Sequence, residues 1–178
     1  PSEAGGYSAL EALRVLETLV MRTAAMTGEQ TDRMARDDGW RLLSIGRQLE
    51  RLGFLASALA RGVAGGAVFE EAGFAAMLAL FDSTITFHPQ YQQRRDLTAL
   101  LDLLVLDRDN PRSLAWVAQT LRGRLAKVEA AAGTVGESAG AGIPDFEHIA
   151  LQALCAQDAQ GRYAALERCL AGCAGGAW

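Results

Sequence analysis

Residues 38–61 read DGWRLLSIGRQLERLGFLASALAR, and this stretch decides the fold class. Its apolar residues recur every three or four positions, which is the period of an α-helix with one face in a protein core. The stripe comprises Leu42, Ile45, Leu49, Leu52, Ala56 and Leu59. We expect the helix to begin at Asp37 or Asp38, whose carboxylates suit a helix N-terminus, and to end at Arg61, before Gly62.

A second apolar stripe follows the same helix and includes two charged residues. At about 100° per residue, it comprises Trp40, Leu43, Arg47, Glu50 and Phe54. We therefore expect Arg47 and Glu50 to be partly buried, which requires a partner because a buried ion loses its hydration. Three interpretations stay open: a structural ion pair or amphipathic rim, a site for an anionic or peptide-like ligand, and a docking surface for a partner domain.

The rest of the chain repeats the helical period, without the sustained alternation of a β-strand. Further helices are predicted from Ser8, as N-cap with Glu11 three residues on, to about Met26, ending near Gly28, and over 70–87, 96–106, 111–132 and 144–173. Asn110 followed by Pro111 is typical of a helix start, with Asn110 as the N-cap. Residues 133–143, rich in Gly, Ala and Ser, are predicted to form a flexible loop. The pattern predicts an all-α fold, an antiparallel bundle of about six helices.

Composition narrows the classes of function. The chain has 178 residues, a size typical of a single domain over 1–178, and its net charge of −4 gives no reason to expect nucleic-acid binding. No apolar run approaches the ~20 residues of a membrane-spanning helix. Three cysteines without a disulfide framework, and no Cys/His cluster, favour a cytoplasmic protein without a metal or other cofactor. A start at Pro1, without a leader sequence, suggests a fragment of a longer protein.

Several other polar residues are candidates for function. Asp82, Asp102 and Asp107 lie within or beside apolar helices, where acids more often cap a helix or face solvent. Asp102 could pair with Arg47, Arg51 or Arg112. His88 lacks an identifiable nucleophile or acid partner, so we interpret it as structural.

The run at 38–51 resembles the hallmark of the alpha-E domain family, which is named for its helices and its Glu-Arg motif. The stretches DSTITF at 82–87, LDLLVLD at 101–107 and NPRS at 110–113 support the resemblance. The motif positions are Gly46, Arg47, Glu50, Arg51, Asp82, Tyr91, Asp102, Asn110 and Arg112. Family members usually have a tyrosine followed by basic residues where this chain has FHP at 87–89. Longer members carry an earlier Glu-Arg helix, so we expect this chain to be the C-terminal part of the family region.

The resemblance implies a helical bacterial domain that is fused to, or encoded beside, a circularly permuted ATP-grasp ligase, often near transglutaminase-like peptidases. Our leading hypothesis is a non-catalytic accessory or docking domain for that ligase, in the synthesis or modification of a peptide-like product. One alternative is a ligand-binding or catalytic domain in which Glu50 is the acid or base and Arg47 or Arg51 clamps an anion in an inter-helix pocket. Another is a purely structural bundle. The sequence contains no phosphate-binding glycine loop, nucleophile elbow or metal cluster, which argues against a self-sufficient enzyme.

Overall fold

The computed structural model describes residues 8–92, 94–133 and 139–175, and over these ranges the backbone is helical without any β-strand. Eight α-helices occupy them: α1 (Ala9–Arg33), α2 (Asp38–Ala64), α3 (Glu71–Leu80), α4 (Thr84–Tyr91), α5 (Leu97–Leu101), α6 (Leu114–Ala132), α7 (Leu151–Cys155) and α8 (Ala164–Ala174). The predicted all-α class is therefore confirmed, with eight α-helices in the described ranges where about six were expected. None of these helices is long and apolar enough to cross a membrane. The chain divides into two compact units, residues 1–40 and 41–178.

In the first unit, α1 begins with the expected capping box. The Ser8 hydroxyl accepts a hydrogen bond from the Glu11 backbone N–H (3.2 Å), and the Glu11 carboxylate accepts one from the Ser8 N–H (2.9 Å). The predicted end near Gly28 is wrong, because the helix continues to Arg33. A glycine costs a helix only about 1 kcal/mol relative to alanine, and a Glu29–Arg33 ion pair one turn apart (3.1 Å) supports the last turn.

One side of α1 is apolar and exposed to solvent. Its large apolar side chains are each half or more exposed, and they include Leu10, Leu13, Leu16, Leu19, Val20 and Met26. A surface helix of a globular protein usually buries such a stripe. We call these six residues the α1 apolar face.

The core of the second unit follows the predicted stripe of α2. Ile45, Leu52, Ala56 and Leu59 are buried and Leu49 packs at the edge, whereas Leu42 is 60% exposed. Around them lie buried residues of the other helices, among them Phe74, Met77, Leu78, Phe81, Phe87, Leu100, Leu104, Leu114, Val117, Leu121, Leu154, Leu166 and Leu170. The predicted end of α2 at Arg61 is three residues early. Gly62 is itself buried in the helix against Val68 and Met77, and the chain turns only at Gly66, whose φ is 74°.

The helix predicted over 70–87 is two helices. Between α3 and α4, Phe81 is buried and Asp82 adopts a φ of 49°, in the left-handed region that ends a helix. The Ser83 backbone N–H closes this turn by donating to the Leu78 carbonyl (2.9 Å). The two halves share one apolar period, so the sequence pattern did not reveal the break.

The later part of the chain also differs from the predicted helices. The backbone after α5 forms a π-helical turn at Asp102–Leu106, and α6 begins at Leu114 with Ser113 as its N-cap, so the predicted cap at Asn110 is wrong. The predicted helix over 144–173 exists only as α7 and α8, separated by a turn at Gly161 with a φ of 74°.

The predicted loop over 133–143 lies largely outside the described residues. At its edges, Gly133 ends α6 in the left-handed conformation (φ 65°), and Ala139–Gly142 forms a 3-10 turn.

We predict that Gly73→Ala destabilises the protein. A Cβ at this position in α3 would lie 2.0 Å from the carbonyl oxygen of Ala67, a backbone atom that cannot rotate away. We expect the free energy of unfolding in urea to fall by about 2 kcal/mol or more. Gly123→Ala is the matched control, because a Cβ there meets nothing within 4 Å and alanine should stabilise α6 by about 0.5–1 kcal/mol. Equal stability of the two variants would contradict the prediction.

Candidate functional site

Several motif residues meet where the turn between α3 and α4 packs against the segment before α6. The Asn110 side-chain amide donates to the Ser83 hydroxyl (3.2 Å) and to the Leu103 carbonyl (3.1 Å). Its side-chain oxygen accepts from the Arg112 backbone N–H (3.1 Å), and the Arg112 guanidinium pairs with the Asp82 carboxylate (2.8 Å). We call these five residues the Asn110 cluster.

Asn110 is the buried centre of this cluster, with only 5% of its surface exposed. The sequence predicted that its side chain would cap a helix, which requires only neighbouring backbone N–H groups. Instead it joins three chain segments, and Ser113 provides the cap by accepting from the Trp116 backbone N–H (3.1 Å). Three hydrogen bonds satisfy the buried amide, as burial of a polar group requires.

The sequence suggested no partner for Asp107, which organises the approach to Asn110. Its carboxylate accepts from the backbone N–H groups of Asp109 (2.9 Å) and Asn110 (3.2 Å), while its carbonyl accepts from the Ser113 hydroxyl. The run Asp-Arg-Asp-Asn-Pro at 107–111 is typical of a turn in which an aspartate side chain binds the backbone N–H two residues ahead of it. That signal could have identified Asp107, but the buried roles of Ser83 and Ser113 have no comparable local signature.

Tyr91 and Asp102 form a separate contact at the π-helical turn. The Tyr91 hydroxyl donates to the Asp102 carboxylate at 2.6 Å, so Asp102 pairs with a tyrosine and not with one of the three arginines considered from the sequence. Partial burial, and then the hydrogen bond to the Asp102 carboxylate and its negative charge, raise the pKa of Tyr91 well above its usual value. The hydroxyl therefore stays protonated at physiological pH and serves as a donor.

The motif residues on α2 lie mainly at the surface of the second unit. Gly46 and Arg47 are half-buried, but Glu50 and Arg51 are exposed. The expectation of a buried Glu50 is wrong, and its apolar neighbour Phe54 is itself 55% exposed. The physical reason is that the core covers the first stripe of α2, which leaves Glu50 hydrated and removes the need for a cation beside it.

Arg51, on α2, interacts electrostatically with Arg112 of the Asn110 cluster. Partial burial, and then the positive charge of Arg112, lower the pKa of Arg51 from its usual value. Asp82 pairs with Arg112, so two guanidinium groups and one carboxylate share this region. Guanidinium groups bind carboxylates and phosphates through paired hydrogen bonds, so the arrangement is suited to holding an anion.

Within the described residues, no group of three His, Cys, Asp or Glu side chains is placed to hold a metal ion. His88 is exposed, and its recorded ring contact is with Phe87, at 6.2 Å between centroids. The motif residues described above instead form ion pairs and buried hydrogen bonds.

Comparison with known proteins gives a family but no described activity. The model of the Alpha-E family, described as a predicted alpha-helical domain with a conserved ER motif, matches residues 3–173. Uncharacterized proteins of Mycobacterium bovis and Mycobacterium tuberculosis are each 27% identical to the chain over 134 residues. The match covers 71% of this chain and 15% of each relative, so the chain spans a small part of the length of these curated relatives. No solved structure matches the chain.

We predict that Asn110→Ala lowers the free energy of unfolding by about 2–3 kcal/mol, because the Ser83 hydroxyl and the Leu103 carbonyl lose a buried donor. Chemical denaturation measures the change. Asp109→Ala is the control, since Asp109 is exposed and only its backbone takes part in the turn, so we expect a change within about 0.5 kcal/mol. An Asn110→Ala variant as stable as the control would show that the cluster is dispensable for the fold.

Glu50→Ala is expected to change the free energy of unfolding by about 0.5 kcal/mol or less, because the carboxylate is already hydrated. The same denaturation assay tests this expectation. A loss of about 3 kcal/mol or more, the effect typical of breaking a buried ion pair, would contradict the exposed position of Glu50.

Proposed function

Because the chain belongs to the Alpha-E family of helical domains, we propose that it is a non-catalytic accessory domain that docks on a circularly permuted ATP-grasp ligase. In this proposal the ligase forms an amide bond in a peptide-like product, in the bacterial cytoplasm. The helical domain positions the ligase or its substrate and performs no chemistry itself. The partnership with a ligase comes from the family resemblance.

The α1 apolar face is the observation that carries the proposal. Its residues are 50–66% exposed, although leucine, valine and methionine side chains each gain about 1.5–3 kcal/mol from full burial. A contiguous apolar surface of this kind on a folded domain is typical of a protein–protein contact. At about 100° per residue, Glu11, Arg14 and Arg22 lie on the opposite side of the helix, whereas Glu17 lies between Leu10 and Leu13. One face is therefore mainly apolar and suited to a partner, and the other is suited to solvent.

The polar geometry of the second unit supports an accessory role. In the Asn110 cluster the amide is fully occupied with backbone and hydroxyl partners, and Asp82 is paired with Arg112. A general acid or base must instead be free to exchange a proton with a substrate. The buried residues of the cluster therefore have a structural role, and its charged residues, Asp82 and Arg112, lie at the surface.

A second candidate function is binding of an anionic ligand, and the shared region of Arg51 and Arg112 favours it. Partial burial, and then the positive charge of Arg112, lower the pKa of Arg51, and the Asp82 carboxylate pairs with Arg112 at 2.8 Å. A bound carboxylate would offset the repulsion and accept paired hydrogen bonds. The two candidates involve separate surfaces, α1 and the Asn110 cluster, and can be tested separately.

We predict that Leu13→Asp combined with Leu16→Asp weakens binding of the full-length protein to its ligase at least tenfold, and reduces ATP turnover that depends on this domain. Burying two carboxylates in an apolar contact costs more than the contact gains. Binding is measured by calorimetry, or by turnover where the two domains are fused. The control is Ile85→Asp, since Ile85 is 88% exposed on α4 in the other unit.

Unchanged binding and turnover in the α1 variant would overturn the docking proposal. Loss of turnover in Arg51→Gln, with docking intact, would support the second candidate. Circular dichroism establishes that each variant remains helical.

A further inference from the structure

A cleft lies between α3 and α4, apart from the motif residues. Its volume is about 390 Å³, within the range of roughly 300–1,000 Å³ that is usual for small-molecule sites. Phe74, Leu78 and Phe87 form an apolar floor and belong to the core of the second unit. The rings of Phe74 and Phe87 meet edge to face, with centroids 5.4 Å apart, and these residues are only 4% and 2% exposed, so the cleft ends at the edge of the aromatic core.

Two opposite charges stand side by side among the residues that line this cleft. The Arg95 guanidinium contacts the Glu71 carboxylate directly, across 24 residues of sequence. Their side chains are 55% and 78% exposed, respectively. An ion pair this exposed contributes only about 0–1 kcal/mol to stability, so the two charges can take new partners at little cost.

Unused hydrogen-bonding groups complete the lining. The side chains of Thr84 and Gln92 line the cleft and make no hydrogen bond within the described ranges. Gln92 also adopts a φ of 54°, in the left-handed region that favours glycine. Backbone strain of this kind costs about 1–3 kcal/mol and is concentrated at ligand-binding sites.

We propose that this cleft binds a free α-amino acid with an apolar side chain. The ligand's carboxylate replaces Glu71 as the partner of Arg95, and its ammonium group replaces Arg95 as the partner of Glu71. The side chain then lies over Ala75 and the edges of the buried Phe74 and Phe87. The proposal is independent of the ligase partnership, since it uses neither the α1 apolar face nor the Asn110 cluster.

The pairing of the two charges identifies an amino acid among the possible ligands. A simple carboxylate would satisfy Arg95 and leave Glu71 without its cation, and a simple amine would do the reverse. A wholly apolar molecule would leave the ion pair as it is and use only the floor. Only a zwitterion satisfies both charges at once while it places an apolar group beside them.

The test is titration of the 178-residue chain with L-phenylalanine, followed by calorimetry and by NMR shifts of the cleft residues. We expect saturable binding that shifts the resonances of Thr84 and Phe87. Arg95→Gln and Glu71→Gln should each weaken this binding at least tenfold. Both side chains are exposed, so the variants should fold normally, which circular dichroism verifies.

Arg94→Gln is the matched control. Arg94 adjoins Arg95 and forms a similarly exposed ion pair with Asp96 (3.1 Å), but it does not line this cleft. Its variant should bind L-phenylalanine as the unaltered chain does. 3-Phenylpropionate, which lacks the ammonium group, and phenethylamine, which lacks the carboxylate, should bind at least tenfold more weakly.

Three results would overturn the proposal: no saturable binding of L-phenylalanine, equal weakening by the Arg94 and Arg95 variants, or analogues without one charge that bind as tightly as L-phenylalanine. The last result would mean that the apolar floor alone determines binding. Loss of ligase docking in the α1 variants has no bearing on this test.

Discussion

Between α5 and α6 the backbone departs from the α-helical hydrogen-bond pattern, although Leu103, Leu104 and Val105 stay buried in the core. Asn110 supplies hydrogen bonds that a regular helix would have provided. A buried carbonyl such as that of Leu103 is costly without a donor, and Asn110 is that donor. The same amide also reaches the Ser83 hydroxyl at the turn between α3 and α4, and its oxygen accepts from the Arg112 backbone. One buried side chain thus ties together three segments of the second unit, and in a medium of low dielectric such a satisfied network is rigid and specific.

The charged residues Arg112 and Asp82 adjoin the buried hydrogen bonds of Asn110. The Arg112 backbone N–H donates to the Asn110 side chain, and its guanidinium pairs with the Asp82 carboxylate. The positive charge of Arg112 also acts on Arg51 of α2. The arginine of the Glu-Arg motif is therefore within electrostatic reach of the cluster, while Glu50 stays in solvent.

The proposed interactions use surfaces of different chemistry. The α1 apolar face is wide and mainly apolar, with Glu17 within its arc, and it is suited to another protein surface that excludes water. The cleft between α3 and α4 is small, and two charges adjoin its aromatic floor, which is suited to a zwitterion. Their physical difference lies in how the charges are placed: most charges of α1 lie opposite its apolar face, whereas those of the cleft adjoin the apolar floor.

The sequence by itself determined what depends on contacts within about one helical turn. The all-α class followed from the apolar period, and the capping box of Ser8 and Glu11 was predicted correctly because its hydrogen bonds join residues three positions apart. Only the tertiary structure decided which apolar stripes are covered, and hence that Glu50 is exposed. It also turned Asn110 from an expected helix cap into a buried link to Ser83, 27 positions away. Both outcomes depend on which distant segments pack together, and the local period of apolar residues does not carry that information.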